Sequence, residues 1–169
     1  LDLNRTVGFQ RRGRHDPTMV LLGGLIWRAM RTPEGVATLV LRASAGGDVH
    51  AAAWGAGREW AIAHVPSLCG AEDDASSFDA RLHPLIHEAH HRHPGLRLGR
   101  TDGIFDALAC AIFEQKVTGL QAFGAWRYIV SRFGERAPGP TPLPMFAPPT
   151  MPQWQHIPSW EWHAAGLEP

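Results

Sequence analysis

Short apolar runs separated by turn-forming residues dominate the first third of the chain. Between Thr18 and about Ala53 the runs are TMVLLGG, LIWRAMRT, ATLVLRAS and DVHAAAWG, all rich in residues that favour strands. Three turn signals separate them: Gly23-Gly24, Pro33-Glu34-Gly35 and Gly46-Gly47-Asp48. A spacing of about ten residues with tight turns predicts an antiparallel meander. One helix is then predicted from Arg58 to Cys69, ending at Gly70 and packing on the sheet.

A change of period marks the middle of the chain. The segment GAEDDASS, residues 70–77, is acidic and built from small residues, and beyond it the apolar positions recur about every 3.6 residues. The pattern therefore predicts an α+β fold, with a small antiparallel sheet and covering helix in residues 1–77 and a helical domain in residues 78–169. The first helix of that domain is predicted over Asp79–His93, where Pro94-Gly95 ends it.

Two amphipathic helices with a tight corner between them follow. The first, Asp102–Gln115, carries one apolar stripe: Ile104, Phe105, Leu108, Ala109, Ile112 and Phe113. The second begins at Thr118, whose side chain and Gln121 are spaced for a capping box, and ends at Gly134. Its predicted buried face consists of Leu120, Phe123, Ile129, Val130 and Phe133. The corner, EQKVTG, offers polar side chains to a phosphate backbone, but on the residues alone an ordinary helical hairpin is the simpler interpretation.

The two ends of the chain carry weaker patterns. Residues 1–17 contain an excess of arginine over aspartate and predict a solvated basic arm. Ala137–Pro149 is so rich in proline that no regular structure is predicted there. Short helices are predicted after Thr150 and from around Pro158.

Composition narrows the class of protein. The 169 residues are 44% hydrophobic, which is enough for a buried core. The 16 basic and 16 acidic residues balance, which argues against bulk charge as the means of holding nucleic acid and leaves a local basic strip as the alternative. Two cysteines are too few for a disulfide framework, and the longest uncharged apolar run, Met19–Trp27, is too short for a membrane span. No secretory leader pattern opens the chain, so we expect a cytoplasmic protein.

Candidate chemistry in the chain is sparse. Five histidines crowd one predicted helix: His83, His87, His90, His91 and His93. Two histidines four residues apart could bind a transition metal only with a third ligand. A solvated polar helix face is therefore the simpler interpretation, and no metal site is predicted. Glu114, at the end of its helix, is a candidate general base, although a solvated or capping role is simpler. No glycine-rich phosphate loop and no nucleophile elbow is present.

The segment HPGLRLGRTDGIFDALACAIFEQKVTGLQAFGAWRYIVSRFGE, residues 93–135, resembles the DNA-3-methyladenine glycosylase II family of the helix-hairpin-helix glycosylase superfamily. In that family a Pro-Gly-Leu-Arg lead-in, here Pro94-Gly95-Leu96-Arg97, precedes a helix ending in an Ile-Leu-x-Gln motif, here Ile112-Phe113-Glu114-Gln115. The strings HDPTM, WRAMRTPEG, AAAWGAGREW and IPSWEWHAAG resemble the actinobacterial branch of the family. The resemblance therefore covers nearly the whole chain.

The resemblance implies base excision repair of alkylated purines of the 3-methyladenine type. Members flip a damaged base out of duplex DNA into an aromatic pocket and hydrolyse its N-glycosidic bond, with an aspartate stabilising the oxocarbenium-like centre while water attacks. The family needs no metal or other cofactor. The implied partner is double-stranded DNA carrying alkylated bases, bound by a protein that is associated with the nucleoid and monomeric when complete.

The resemblance also assigns roles to individual residues. Lys116 takes the wedge position that fills the hole left by the flipped nucleotide, where the best-known members carry an apolar side chain. Gln115 takes the position that contacts the opposite strand or the backbone, and Val117 and Thr118 complete the DNA-contacting corner. The segment VGFQRR resembles one whose aromatic residue lines the base pocket, which places Phe9 there.

Two parts of the family pattern have no match in the sequence: the DNA-anchoring hairpin and the catalytic aspartate that follows it. No catalytic residue is therefore assigned. We expect residues 78–169 to be the first, incomplete part of a glycosylase helical lobe, and the chain as given to be an inactive fragment of the enzyme. The alternative is a non-catalytic DNA-binding or damage-recognition module.

Overall fold

The computed structural model describes residues 1–167 and has the α+β fold that the sequence predicts. Its main sheet contains β1 (Met19–Leu22), β2 (Leu25–Thr32), β3 (Gly35–Ala43) and β4 (Val49–Gly55). The strands pair antiparallel in the order β1-β2-β3-β4, so the predicted meander is confirmed. Gly23 and Gly24 form the first turn with φ angles of 60° and 75°, and the type I′ turn of a two-residue hairpin requires positive φ at both positions.

The N-terminal segment packs on one face of this sheet. It forms α1 (Leu3–Thr6) and a single 3-10 turn at Gly8–Gln10. Leu3 and Val7 are buried in the core of the sheet domain with Ile26, Leu39, Leu41 and Leu68. The prediction of a solvated basic arm is therefore wrong, because the apolar residues between the charged ones gain more by burial than the arm gains by hydration.

A proline divides the helix predicted over Arg58–Cys69. The structure has α2 (Arg58–Ala63) and α3 (Val65–Leu68), with His64 between them. Pro66 lies in the first turn of α3 and has no N–H to donate to the preceding turn, so one continuous helix cannot form.

Beyond α3, the described residues form α4 (Pro84–Arg92), α5 (Ile104–Phe113), α6 (Gly119–Phe133), α7 (Met151–Gln155) and α8 (Ser159–Ala164). The helix predicted over Asp79–His93 is again divided: a 3-10 turn, Ala80–Leu82, precedes α4 because Pro84 is a helix-starting residue. No helix in the described residues is long and apolar enough to cross a membrane. The division of the chain at residues 70–77 stays a prediction.

The apolar stripe predicted on α5 is only partly buried. Cys110 and Phe113 face the helical core, where Phe113 meets Trp126 of α6 with ring centroids 6.2 Å apart, and Ala109 is also buried. The other edge of the stripe lies in solvent: Ile104, Leu108 and Ile112. Leu120, predicted to be buried in α6, is 85% exposed. Both differences arise because helical period fixes which residues share a face, but the neighbouring elements decide how wide a face is covered.

The second face of the sheet is covered by the proline-rich segment. This segment contains one short strand, β6 (Phe146–Ala147), which pairs with β5 (Glu135–Arg136), so the prediction that residues 137–149 hold no regular structure is wrong there. The pairing is possible because both residues of β6 keep their backbone N–H. Met145 and Ala137 then pack against Val20 and Ala29 of the sheet.

Candidate nucleic-acid interface

The corner between α5 and α6 is sharply turned and exposed. Lys116 has a φ angle of 59°, a left-handed conformation that few non-glycine residues adopt. Two residues later the predicted capping box is confirmed: Gln121 donates its backbone N–H to the Thr118 side chain and accepts the Thr118 N–H through its own side chain at 2.9 Å. Gln115, Lys116 and Thr118 are exposed, whereas Val117 packs partly against the helical core. Three of the four predicted DNA-contacting side chains are thus open to solvent.

A cleft of about 470 Å³ lies beside this corner, between the N-terminal segment and α5. Its lining combines aromatic, basic and acidic side chains: Phe9, Arg12, Arg28, Asp106, Glu114 and Phe123. Phe9, the residue predicted to line a base pocket, is 65% exposed. Glu114 lines the cleft and directly precedes Gln115, so the corner begins at the edge of the cleft. The structure therefore brings Phe9 and the predicted DNA-contacting corner to the same site.

Asp16 fastens the N-terminal segment to α6. One of its carboxylate oxygens accepts the backbone N–H and the hydroxyl of Thr18, each at 2.8 Å, and the indole N–H of Trp126 at 3.2 Å. The other oxygen accepts the backbone N–H of Arg12 at 2.7 Å. The Arg12 guanidinium in turn lies 5.0 Å from the centroid of the Trp126 ring, within cation–π range. This network holds one wall of the cleft in place.

Two charged groups of the cleft, Asp106 and Arg28, have shifted pKa values. Burial raises the pKa of the Asp106 carboxyl, although Arg28, Arg12 and Arg31 pull it in the opposite direction. Burial, and then repulsion from Arg12, lowers the pKa of Arg28 to about 10. Arg28 donates a hydrogen bond to the side-chain oxygen of Gln10, whereas the Asp106 carboxylate has no hydrogen-bond or ion-pair partner within residues 1–167. Perturbed groups gathered in a cleft are typical of a functional site.

The segment that leads into α5 is tied to the sheet domain, which positions the other wall of the cleft. The backbone N–H of Arg100 donates to the carbonyl of Ser67 at 2.9 Å, and the Nε2–H of His64 donates to the carbonyl of Arg100 at 2.8 Å. Thr101 and Gly103, which line the cleft next to Asp106, follow directly. These contacts connect the two parts of the chain beside the site.

Neither the histidines of α4 nor Cys110 forms a second candidate site for chemistry. The histidines of α4 lie on an exposed helix, and across the described part of the chain no group of three His, Cys, Asp or Glu side chains is placed to hold a metal ion. Burial raises the pKa of the Cys110 thiol to about 12, so it stays protonated at neutral pH and is a poor nucleophile.

Sequence reasoning missed three of the charged residues in the cleft. Arg12 belongs to the segment for which the sequence predicts a solvated arm, and Arg28 is one polar residue inside an apolar strand pattern. Asp106 carried the clearest signal, because it interrupts the apolar stripe of α5 within the first turn. What brings the three together is the long-range packing of the N-terminal segment, which no local pattern encodes.

No family model matches the chain, and no curated protein matches its sequence. Solved structures do match. A 3-methyladenine DNA glycosylase from Archaeoglobus fulgidus superposes with a TM-score of 0.78 at 17% identity, over 99% of this chain and 59% of that enzyme. The chain has the fold of a DNA glycosylase. An 8-oxoguanine glycosylase/lyase from Clostridium acetobutylicum matches in its apo form (TM-score 0.58, 12% identity, 88% of this chain and 60% of that one).

The same Clostridium acetobutylicum enzyme in complex with double-stranded DNA containing cytosine opposite 8-oxoguanine gives a TM-score of 0.57 at 13% identity, over 87% of this chain and 59% of that one. The chain thus spans about three-fifths of the length of the solved glycosylases that it matches. At these identities the likeness concerns the fold, and the two enzymes with this glycosylase fold act on different bases.

Proposed function

We propose that this chain carries the base-binding and DNA-wedging part of a base-excision DNA glycosylase that acts on alkylated purines. The observation that carries the proposal is the adjacency, within a DNA glycosylase fold, of an exposed aromatic residue and the α5–α6 corner at one cleft. A flipped base needs an aromatic face and a pocket, and Phe9 and the cleft supply both. The partner is duplex DNA, on which we propose that the whole enzyme works as a monomer in the cytoplasm.

The corner is proposed to enter the duplex at the lesion. Lys116 projects from a sharply turned corner next to a capped helix start. The backbone that carries its side chain therefore has little freedom to move. Its methylene groups can fill the space of an extruded nucleotide while the ammonium reaches a phosphate. Gln115 beside it offers an amide that can hydrogen-bond to the opposite strand or the backbone.

The alkylpurine preference rests on the sequence resemblance to the DNA-3-methyladenine glycosylase II family. The chemical step is proposed to be hydrolysis of the N-glycosidic bond, with water attacking an oxocarbenium-like sugar. No residue of the sequence matches the aspartate that stabilises this centre in the family, so the proposed role of Phe9, Gln115 and Lys116 is to bind and position the substrate.

Binding to damaged DNA tests the proposal directly. The chain is titrated onto a fluorescent duplex that contains one abasic-site analogue and onto the same duplex without it, and anisotropy is followed at several salt concentrations. We expect tighter binding to the abasic duplex, because the wedge fills a gap that is already open. Equal affinity for the two duplexes would contradict the proposed function.

The matched pair of variants is Lys116→Ala and Arg136→Ala, which each remove one exposed positive charge. Loss of one phosphate contact lowers the salt slope of binding by about one unit. We expect Lys116→Ala to weaken binding to the abasic duplex and flatten its salt dependence, while Arg136→Ala leaves both unchanged. If the two variants behave alike, Lys116 is not the wedge.

A further inference from the structure

Residues 11–15, which follow the 3-10 turn of the N-terminal segment, form a basic loop on the surface. Their sequence is RRGRH, and Arg14 and His15 are exposed. Neither Arg11, Arg12 nor Arg14 forms an ion pair with a carboxylate in the part of the chain that the structure describes. Neighbouring cations without acidic partners repel one another, so this arrangement is typical of a surface that meets an anionic partner.

The basic loop is held in one shape although it lies on the surface. Gly13 has a φ angle of 74°, and a Cβ added to it would lie 3.0 Å from the ring of Phe123 in α6. Arg11 donates a hydrogen bond from Nη2 to the carbonyl of Arg14, which closes the loop on itself. Asp16, with its four hydrogen bonds, fixes the end of the loop. A partner that binds a loop already ordered by folding loses little further entropy.

The basic loop and the α5–α6 corner border the same cleft. Arg11 and Arg12 line the cleft from the loop, and Glu114 lines it from the start of the corner. The loop packs on Phe123, one helical turn from Gly119 at the start of α6, which is about 6 Å along the helix axis. A DNA strand that delivers one nucleotide into the cleft must pass its flanking phosphates over this rim.

The charges of the lining and of the rim differ. Inside the cleft the charge is mixed, because Asp106 and Glu114 oppose Arg12 and Arg28. Arg14 does not line the cleft, and no carboxylate among residues 1–167 pairs with it. A guanidinium group binds a phosphate through two parallel N–H donors. The mixed lining therefore suits an uncharged base, whereas the rim suits the backbone phosphate that carries it.

We propose that the basic loop is a second DNA contact, in which Arg14 binds a phosphate next to the extruded nucleotide while the corner fills the gap in the duplex. This inference rests on the proposed function and adds to it a surface that holds the backbone of the damaged strand at the mouth of the cleft. His15 offers a ring N–H donor to the same stretch of backbone. A phosphate contact carries no information about the base, so it positions the strand whichever base is damaged.

Uncharged backbone linkages test the inference. Fluorescent duplexes carry one abasic-site analogue and, at the two linkages that flank it, either ordinary phosphates or methylphosphonates; anisotropy gives the affinity at several salt concentrations. We expect Arg14→Ala to weaken binding to the ordinary abasic duplex about eightfold at 0.1 M salt and to lower the salt slope by about one unit, because one phosphate contact is lost. On the methylphosphonate duplex, Arg14→Ala and the unmodified chain should bind equally, because the phosphate charge is already absent.

The matched control is Arg42→Ala. Arg42 is exposed on β3 and, within the described residues, forms no ion pair, so its loss should change neither the affinity nor the salt slope. Arg14→Lys keeps the positive charge and should keep the salt slope. Arg14→Ala keeps the carbonyl that Arg11 binds, so the loop should hold its shape and the Tm should match that of the unmodified chain.

Arginine modification gives a second measurement that needs no variant. The unmodified chain is treated with phenylglyoxal, with and without the abasic duplex, and the modified arginines are located by mass spectrometry. We expect the duplex to protect Arg14 and to leave Arg42 as reactive as in the free chain, because only the first lies on the proposed interface.

Two results would overturn the inference: an equal loss of affinity in Arg14→Ala on the ordinary and the methylphosphonate duplexes, and unchanged modification of Arg14 when the duplex is bound. A preference for the abasic duplex that Arg14→Ala leaves untouched, in both affinity and salt slope, would overturn this inference and leave the proposed function standing. Dependence of the Arg14→Ala effect on the flanking linkages, in a chain that binds abasic and intact duplexes equally, would support this inference and contradict the proposed function.

Discussion

Replacing Asp16 with alanine should lower the free energy of unfolding more than any surface substitution of the same size does. The carboxylate is 4% exposed and accepts four hydrogen bonds, from Thr18 (backbone and hydroxyl), Trp126 and Arg12. It joins residues 110 positions apart in the chain, so its loss affects the contact between the N-terminal segment and α6. The same change releases the wall of the cleft that carries Arg12.

The magnitude follows from the donors left behind. The hydroxyl of Thr18 can rotate to another acceptor, but three N–H groups lose their partner, and each buried orphan costs about 1–3 kcal/mol. Part of that cost is recovered because a charge no longer has to be desolvated. A net loss of about 3–5 kcal/mol remains. For a chain of this size that corresponds to a fall in Tm of roughly 10 °C.

Thermal and urea unfolding, followed by circular dichroism, measure the effect, with Asp48→Ala as the exposed control. The control should stay within about 0.5 kcal/mol of the unmodified chain. Asp16→Asn should lose roughly half as much as Asp16→Ala, because its amide oxygen keeps some of the acceptors while its NH2 group faces the N–H of Arg12. A loss below about 1 kcal/mol for Asp16→Ala would refute the reasoning, since the four hydrogen bonds would then contribute nothing net.

Three other predictions concern the cleft, the exposed helix faces and catalysis. Burial raises the pKa of Asp106, so the native state keeps the proton of this carboxyl to higher pH than the unfolded chain does. The stability that follows from this difference in pKa is present below the ordinary carboxyl pKa of about 4 and is lost as the pH rises through the raised native value. Asp106→Asn should therefore have a higher Tm than the unmodified chain at pH 7 and an equal one at pH 3; an equal Tm at both pH values would contradict the assignment. Because Ile104, Leu108 and Ile112 are exposed together on α5, the chain should bind a hydrophobic dye and associate with rising concentration, which sedimentation measures; a strictly monomeric chain without dye binding would count against it. Purified residues 1–169 should release no 3-methyladenine from alkylated DNA above background, because no residue matches the catalytic aspartate of the family; measurable release would show that another carboxylate acts.

The parts of the fold that the sequence predicted are those fixed by local physics. Gly23 and Gly24 can adopt positive φ angles at little cost, so they marked the first hairpin. Thr118 and Gln121 satisfy each other's backbone groups within four residues, so the start of α6 could be placed to the residue. The breaks at Pro66 and Pro84 are equally local, but the helical period of the apolar positions continues through both prolines and hides them.

The parts that could not be predicted depend on which surfaces meet. An arginine-rich segment is hydrated unless a partner covers its apolar residues, and nothing near Leu3 or Val7 in the sequence says that the sheet does so. The cleft depends on the same event, because Arg12 lies over Trp126 and lines the cleft with Asp106 only when the N-terminal segment packs beside α5 and α6. The resemblance supplied Phe9 and the corner as separate assignments, and their adjacency became visible only in three dimensions.

Asp16 and Asp106 show how the molecule divides its charges between folding and binding. Both carboxylates act on Arg28, yet the first is satisfied by four hydrogen bonds from the chain itself and the second by none among the described residues. A core selected for stability alone would give Asp106 a donor or replace it with an apolar residue, since either change removes the cost of burial. A ligand that supplies donors to Asp106 would recover that cost, and a ligand that binds the folded chain stabilises it by mass action. Filling the cleft with such a ligand should thus lower the pKa of Asp106 and reduce the pH dependence that this carboxyl imposes on the empty protein, which ties the stability of the chain to the occupancy of the cleft.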